Sequence, residues 1–372
     1  MRRFALVLCV VLVLAACAAS ATREAQTYSI VGYAGHDAQA SRIAAQNLTA
    51  LNYAFAHIDA GRVVFDQPGT ADALARLREL KARNPQLKIL ISVGGWGADG
   101  FSDAAVSESS RSEFADSAAQ MIARDQLDGI DVDWEYPGLP GPGIRHRPQD
   151  KQNFTLLLQA LRQRFDRLAH EQHRHNDDPY LITAALADGE FVSGIELDRV
   201  GTVLDWVNLM TYDFHNSLTP TTGHHSALHR SATSASNERS VERAVQQFLD
   251  AGVPARKLVI GVPFYGRAFA DVATENHGLD QAYARYAGDH AWPRLVSDFI
   301  GRNGYVRYWD DVAHEPYLWN AQTHTFVSYD DPQSLALKAQ FVKAHHLGGA
   351  MYWEQSQDPD GQLLDVLHQA LH

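Results

Sequence analysis

From residue 28 onward, short apolar runs alternate with longer amphipathic stretches. The runs at 28–33, 48–57, 88–93, 129–134, 180–186, 206–211, 258–263 and 349–353 are rich in Val, Ile, Leu and aromatic residues. They are continuous rather than strictly alternating, as strands covered on both faces should be. Between them, Phe154, Leu157, Leu158, Leu161, Phe165 and Leu168 fall on one helical face, with Arg162, Arg164 and Arg167 outside it. Val241, Ala244, Val245, Phe248 and Leu249 repeat the pattern before Gly252 and Pro254 end that helix. A last helix is expected to start at Asp331-Pro332, an N-cap followed by a first-turn proline, and to stop at Gly348-Gly349.

Eight strand runs alternating with helices predict an α/β fold, a parallel (β/α)8 TIM barrel over residues 28–267 and 331–372. An open doubly wound sheet is the rival, but no glycine-rich phosphate loop follows the first run, where Val31-Gly32-Tyr33 enters a polar loop. More than sixty residues separate Tyr265-Gly266-Arg267 from the helix at Asp331, far beyond an ordinary connection. Residues 268–330, with Tyr305, Tyr308, Trp309, Tyr317, Trp319, Phe326 and Tyr329, are therefore expected to form a small α+β insertion domain after the seventh strand.

One run is polar in an informative way. In the segment 127–136, LDGIDVDWEY, strand alternation puts Asp131, Asp133 and Glu135 on one face and Ile130, Val132 and Trp134 on the other. In a barrel the acids would line the lumen and climb toward the C-terminal rim. Neighbouring acids at this spacing are about 7 Å apart between Cα atoms, and like charges in a confined place cannot all ionise. The group therefore retains a proton near neutral pH, which suits a general acid that protonates a leaving glycosidic oxygen. Glu135, nearest the rim, is assigned that role. Asp133 is expected to hydrogen-bond to it and adjust its proton affinity, and Asp131 to exchange a proton with Asp133.

Composition narrows the picture. The 372 residues carry a net charge of −12, which disfavours a nucleic-acid partner. The 18 histidines are scattered, and pairs such as His224–His225 and His345–His346 lack metal-ligand spacing, so neither metal nor cofactor is expected. Met1-Arg2-Arg3 precedes an apolar run from Phe4 to Ala16, too short to span a bilayer, and residues 1–21 read as a signal sequence. Leu14-Ala15-Ala16-Cys17 resembles a bacterial lipoprotein box, with 1–16 as its signal and Cys17 lipidated; cleavage after Ala19-Ser20-Ala21 is the alternative. The protein is expected to be exported, lipid-anchored in the cell envelope or secreted, monomeric, and in contact with membrane only through that anchor. Both cysteines, Cys9 and Cys17, lie in this segment, so the mature protein has no disulfide and relies on a large core.

The acidic segment resembles the D-x-x-D-x-D-x-E signature of glycoside hydrolase family 18, the chitinases and their relatives. Ser92-Val93-Gly94-Gly95-Trp96 is similar to the family's S-x-G-G motif, and Met210-Thr211-Tyr212-Asp213 to its M-x-Y-D motif. Tyr265-Gly266-Arg267 and Gly349-Ala350-Met351-Tyr352-Trp353 resemble the ends of its seventh and eighth strands, and the long insertion resembles the chitinase insertion domain. The resemblance implies hydrolysis of β-1,4-linked N-acetylglucosamine in chitin or its oligosaccharides, with retention, by attack of the substrate's own 2-acetamido oxygen. Glu135 would then be the general acid and base, Tyr212 would hold the acetamido group, and Asp133 would polarise its N–H. Asp213 and Arg267 would bind sugar hydroxyls, Trp353 would floor the −1 sugar, and Tyr33 and Phe55 would close its base. Met210, Tyr265, Met351 and Gly95 complete the expected substrate-binding set, Trp96 offers a +1 platform, and Ser92 and Gly94 make room for the acidic strand. One departure stands out: Ala34-Gly35-His36-Asp37 after Tyr33 lacks the tryptophan usual there in deep-cleft members. An endo-β-N-acetylglucosaminidase acting on glycans or peptidoglycan-derived chains is the runner-up. A catalytically inactive chitin-binding lectin is disfavoured by the intact acidic motif.

Overall fold

The computed structural model describes residues 27–65, 67–175 and 178–372. The expected signal sequence, Cys9 and Cys17 lie outside the described residues. Among the described residues, fourteen strands follow in order: β1 Ser29–Ala34, β2 Ala50–Asp59, β3 Arg62–Val64, β4 Lys88–Gly94, β5 Gly129–Asp133, β6 Leu181–Leu186, β7 Trp206–Leu209, β8 Leu258–Pro263, β9 Tyr265–Val272, β10 Tyr283–Ala291, β11 Val306–Asp310, β12 Glu315–Asn320, β13 Thr325–Ser328 and β14 Gly349–Trp353. Eight of them, β1, β2, β4 to β8 and β14, pair in parallel, and β1 bonds to both β14 and β2, which closes a (β/α)8 barrel. The short β3 adds to β2 as an antiparallel hairpin.

Alternation along the strands separates two apolar layers. Val31, Tyr33, Ala50, Leu90, Val259 and Met351 point into the lumen and pack together. Ile30, Leu51, Ile89, Ile91, Ile130 and Val132 face outward into the layer shared with the helices. Helix Asp150–Glu171 buries Phe154, Leu157, Leu158, Leu161, Phe165 and Leu168 there, the stripe its sequence period dictates. Trp134, just past β5, stacks on Phe101 at 5.2 Å and meets Phe154 edge-on at 5.8 Å, which fixes the direction in which the acidic segment leaves the barrel.

Two strands end earlier than their apolar runs. At Gly94 (φ 118°) β4 turns away, and Gly95 N–H takes the Asp133 carbonyl at 3.0 Å. A Cβ on Gly94 would sit 2.0 Å from that same carbonyl, so only glycine permits the turn. The ladder therefore stops at Asp133, and Trp134 and Glu135 lie beyond it. On β7 the Thr211 hydroxyl replaces backbone pairing, accepting Gly261 N–H and donating to the Gly261 carbonyl, each at 2.8 Å. That strand ends at Leu209, and Met210 to Asp213 follow as irregular backbone.

The second sheet is antiparallel, in the order β10-β9-β13-β12-β11. It begins at Tyr265, so Tyr265 and Arg267 sit on its first strand rather than at the end of the seventh barrel strand. Phe269, Val272, Leu279, Tyr317, Trp319 and Phe326 form its own apolar cluster. A buried ionic group ties it to the barrel. Lys338, on helix Pro332–Ala344, reaches both Asp330 oxygens and Ser226 Oγ at 2.6 Å and lies 3.2 Å from Glu315 Oε2 on β12. None of the three charged side chains is exposed. Lys338→Met should therefore strand buried carboxylates and lower stability by about 3–5 kcal/mol in urea unfolding. A loss under about 1 kcal/mol would mean that Asp330 and Glu315 take up protons instead.

Candidate active site

Asp131 sits inside the barrel with no exposure and accepts four hydrogen bonds. Oδ2 receives Tyr33 Oη–H at 2.8 Å and Ser92 Oγ–H at 2.7 Å; Oδ1 receives Thr183 Oγ1–H at 2.6 Å and Asn208 Nδ2–H at 3.1 Å. Ser92 and Thr183 are its register partners on β4 and β6, which is why their short side chains reach it. Asn208 is oriented in turn by Trp206, whose Nε1–H donates to Asn208 Oδ1 at 3.1 Å. Burial raises the Asp131 carboxyl and these four donors oppose the rise. Burial outweighs them, and the carboxyl stands above its ordinary range.

Asp133, one level up, is also buried, and its Oδ1 meets no donor. Burial pushes its carboxyl well above the usual range, and the charges of Glu135 and Asp131 add to the shift. Glu135, past the strand end, is raised to about 7 by burial; the Tyr136 hydroxyl opposes this and the charge of Asp213 adds to it. Tyr136 itself stacks on Phe191 at 4.2 Å, and the Arg239 guanidinium lies 5.7 Å over the same Phe191 ring.

A second charged group lies beside the acids. Asp213, in left-handed backbone at φ 60°, accepts Tyr265 Oη–H at 2.6 Å and Arg267 Nε–H at 2.5 Å on Oδ1. Arg267 also donates to Tyr286 Oη at 2.6 Å and Asp289 at 3.1 Å on β10. Burial works against the Asp213 charge, but His225 and Arg267 beside it hold the carboxyl well below the ordinary range. The Tyr212 hydroxyl is raised well above its usual value, by burial and then by the charges of Asp133, Asp213, Glu135 and Asp131, so it remains a donor. Gly261 leaves room for that ring, since a Cβ there would come 2.7 Å from both Tyr212 and Met351.

The apolar wall is a group of three rings. Trp353 lies 5.6 Å from Tyr33 and 5.6 Å from Phe55, stacked on the latter at 25°. Phe55 covers Gly95, where a Cβ would approach its ring to 2.8 Å. A cleft of roughly 540 Å3 runs from Phe55 past Gly94 and Gly95 to Trp96, which is 59% exposed and meets Tyr136 edge-on at 6.3 Å. Met210 is half-buried against the lumen cluster.

Three of the expected substrate-binding residues are enclosed. Tyr33, the buried ring of the wall, and Met351 are 1% and 0% exposed, because strand alternation turns them into the closed lumen. The Tyr265 hydroxyl is taken by Asp213. Sequence reasoning missed Thr183, Asn208, Trp206, Tyr136 and His225. Asn208 had a signal, since it precedes Met210 by two residues and so shares its face; Thr183 is the one aliphatic hydroxyl inside the apolar 180–186 run. Among the described residues, no group of three or more His, Cys, Asp or Glu could hold a metal ion.

The model for Glycosyl hydrolases family 18 matches residues 29–358, a span containing every residue of this site. The chain belongs to glycosyl hydrolases family 18. It is 39% identical over 330 residues to Chitinase A1 of Niallia circulans, covering 83% of this chain and 46% of that protein. Chitotriosidase-1 of Mus musculus is 33% identical over 318 residues, covering 81% and 65%. The chain thus spans about half to two thirds of the length of these two relatives. Among solved structures, a family 18 N-acetylglucosaminidase from Paenibacillus barengoltzii superposes with a TM-score of 0.86 at 40% identity, over 93% of this chain and all of that one.

Raising Glu135 from 4.5 to about 7 has a cost in stability. The folded chain keeps a proton that the unfolded chain loses above its ordinary value, so stability falls as pH rises between about 4.5 and 7. Glu135→Gln removes that penalty. The variant should be more stable than the parent at pH 8, by up to about 3 kcal/mol, and equal to it near pH 4. Urea unfolding at the two pH values checks this; an equal difference at both would rule out the proton as its source.

Proposed function

We propose that the chain hydrolyses β-1,4 linkages between N-acetylglucosamine units of chitin and its oligosaccharides, with retention and assistance from the substrate. The observation that carries this is Glu135, raised to about 7 by burial and following two buried carboxyls, Asp131 and Asp133, out of the barrel. The −1 sugar lays its C–H face on Trp353. Glu135 delivers its proton to the glycosidic oxygen. The acetamido oxygen attacks the anomeric carbon to form an oxazolinium ion, so no second carboxylate acts as nucleophile. Tyr212 orients the acetamido group, and Asp133, whose Oδ1 meets no donor in the free protein, accepts its N–H. Glu135, now ionised, draws a proton from the water that opens the ring from the same face. Asp213 and Arg267 bind sugar hydroxyls, and Trp96 supports the +1 sugar. The names of the relatives support this substrate class.

A second reading within that chemistry is release of single N-acetylglucosamine units. The Paenibacillus barengoltzii neighbour carries that activity in its description. Trp96 is also the only aromatic among the exposed large hydrophobic side chains of the described residues. Timed product profiles on oligomers of increasing length separate the readings: monomer from the first time point supports release of single units, mixed internal products a chitinase. A high-mannose glycopeptide in parallel tests the endo-β-N-acetylglucosaminidase alternative.

Glu135→Gln should lower turnover by about 10²–10⁴ while oligosaccharide binding persists. For the parent, kcat/KM should decline as pH rises through about 7, where Glu135 loses its proton. Near-normal turnover in the variant would mean that another group is the acid. Cellotetraose, which lacks the acetamido group, should not be cut; efficient cleavage would exclude substrate assistance.

We also propose export and a lipid tether at Cys17, on the strength of Leu14-Ala15-Ala16 before it. Fractionation of an expressing bacterium should place the parent with membranes and Cys17→Ser in the soluble fraction. Equal release of both would favour cleavage after Ala21.

A further inference from the structure

The loop that leaves β7 and leads to helix Val241–Asp250 buries a histidine against Asp213. His225 has no exposure, and neither of its ring nitrogens meets a hydrogen-bond partner. A buried polar group left unpaired is costly, about 1–3 kcal/mol. The backbone gives it no freedom to leave. Its N–H donates to Ser328 Oγ at 2.8 Å, and its carbonyl accepts the N–H of Phe214, the residue after Asp213, at 3.1 Å. The ring lies 5.4 Å from the Tyr265 ring, and Nδ1 is 3.7 Å from Asp213 Oδ1. That gap exceeds a hydrogen bond by roughly half an ångström, within reach of a small ring rotation.

The groups facing the imidazole set its state. Asp213 lies in front, with Tyr265 and Arg267 bonded to the same Oδ1, and Asp330 adds negative charge. Burial lowers the His225 proton affinity, with a further reduction from Arg267, although Asp213 and Asp330 oppose it. Tyr265, Arg267 and His225 all crowd Oδ1, and the Asp213 side chain is 34% exposed.

We propose that His225 is a positioning residue for Asp213, its neutral ring carrying a proton on Nδ1 that closes onto Oδ1 when sugar enters the cleft and leaves Oδ2 to the substrate. The proposal rests on the glycosidase reading above. Neutrality matters because the Asp213 charge helps Glu135 keep its proton. Arg267 already offsets part of that charge, and a second cation would cancel more of it, whereas a neutral donor orients the carboxylate without doing so.

The test has an arm independent of turnover. In protein labelled with 15N-histidine, the His225 signals are those lost in His225→Asn. They should report a neutral ring with Nδ1–H from pH 5 to 8, and a thiazoline analogue of N-acetylglucosamine should move the Nδ1 signal toward a stronger hydrogen bond. A proton on Nε2, or a cation at pH 6, overturns the proposal whether or not the protein cuts chitin oligomers. In the kinetic arm, His225→Leu should lower kcat on chitotetraose roughly tenfold with KM within about threefold, and His225→Asn, which keeps an N–H donor, should recover to within about threefold of the parent. His225→Leu within about twofold of the parent, or Asn no better than Leu, also overturns it. Parent enzyme inactive on chitotetraose would instead count against the proposed function, leaving His225 to the imidazole arm.

Discussion

A carboxyl group at the centre of the barrel, closed off from the surface, organises much of what surrounds it. Asp131 on β5 takes two hydrogen bonds on each oxygen, from side chains on β1, β4, β6 and β7, so one carboxylate binds five of the eight strands together. Hydrogen bonds to a charged group are worth about 1.5–3 kcal/mol each, enough in sum to offset much of the desolvation cost. Those donors hold down a carboxyl that burial would otherwise lift further. The carboxyl above it then cannot easily ionise, and Asp133 is driven toward its neutral form by burial and by both neighbours. Glu135, at the open end, is left near 7. The three acids differ in state because they differ in depth and donors, although their chemistry is the same.

The rim answers with a pair of opposite charges. Asp213 and Arg267 come from separate sheets, one from the irregular end of β7 and the other from the first strand of the antiparallel sheet. That sheet is therefore part of the site: β9 contributes Tyr265 and Arg267, and β10 contributes Tyr286 and Asp289, which hold the guanidinium in place. The buried Lys338–Asp330–Ser226 contact explains how a peripheral sheet can hold such a position. It joins the last helix before β14, the sheet's return to the barrel and the loop bearing His225.

Period-two alternation made the acidic face legible in the sequence, and the continuous apolar runs made the barrel legible. The helix start at Asp331 was equally readable; its side chain accepts the N–H groups of Gln333 and Ser334 as a capping residue does. Alternation tells which face a side chain occupies, but not at which level it meets the neighbouring strand. Level depends on register and barrel stagger, which no single strand encodes. Ser92 and Thr183 become partners of Asp131 only once β4, β5 and β6 are aligned. The same limit hid the burial of Met351 beneath the wall and the departure of Tyr265 and Arg267 onto the second sheet. Strand ends were hidden for another reason. They are set by a glycine turn at Gly94 and a hydroxyl substitution at Thr211, local events inside runs that look continuous.

Asn208 shows how one neutral amide serves this arrangement. The Trp206 indole N–H can only donate, so it must face the Asn208 oxygen, and the amide nitrogen is then forced toward Asp131 and Tyr33. An aspartate of the same shape would satisfy the indole but present oxygen to Asp131, placing two buried carboxylates in contact. One of the two would have to be protonated, and the fixed negative charge beneath Asp133 would be shared and weakened. A leucine would leave both the indole N–H and one Asp131 lone pair unpaired. The choice of amide at this lumen position therefore acts on Glu135 through two intervening acids, without any contact with it.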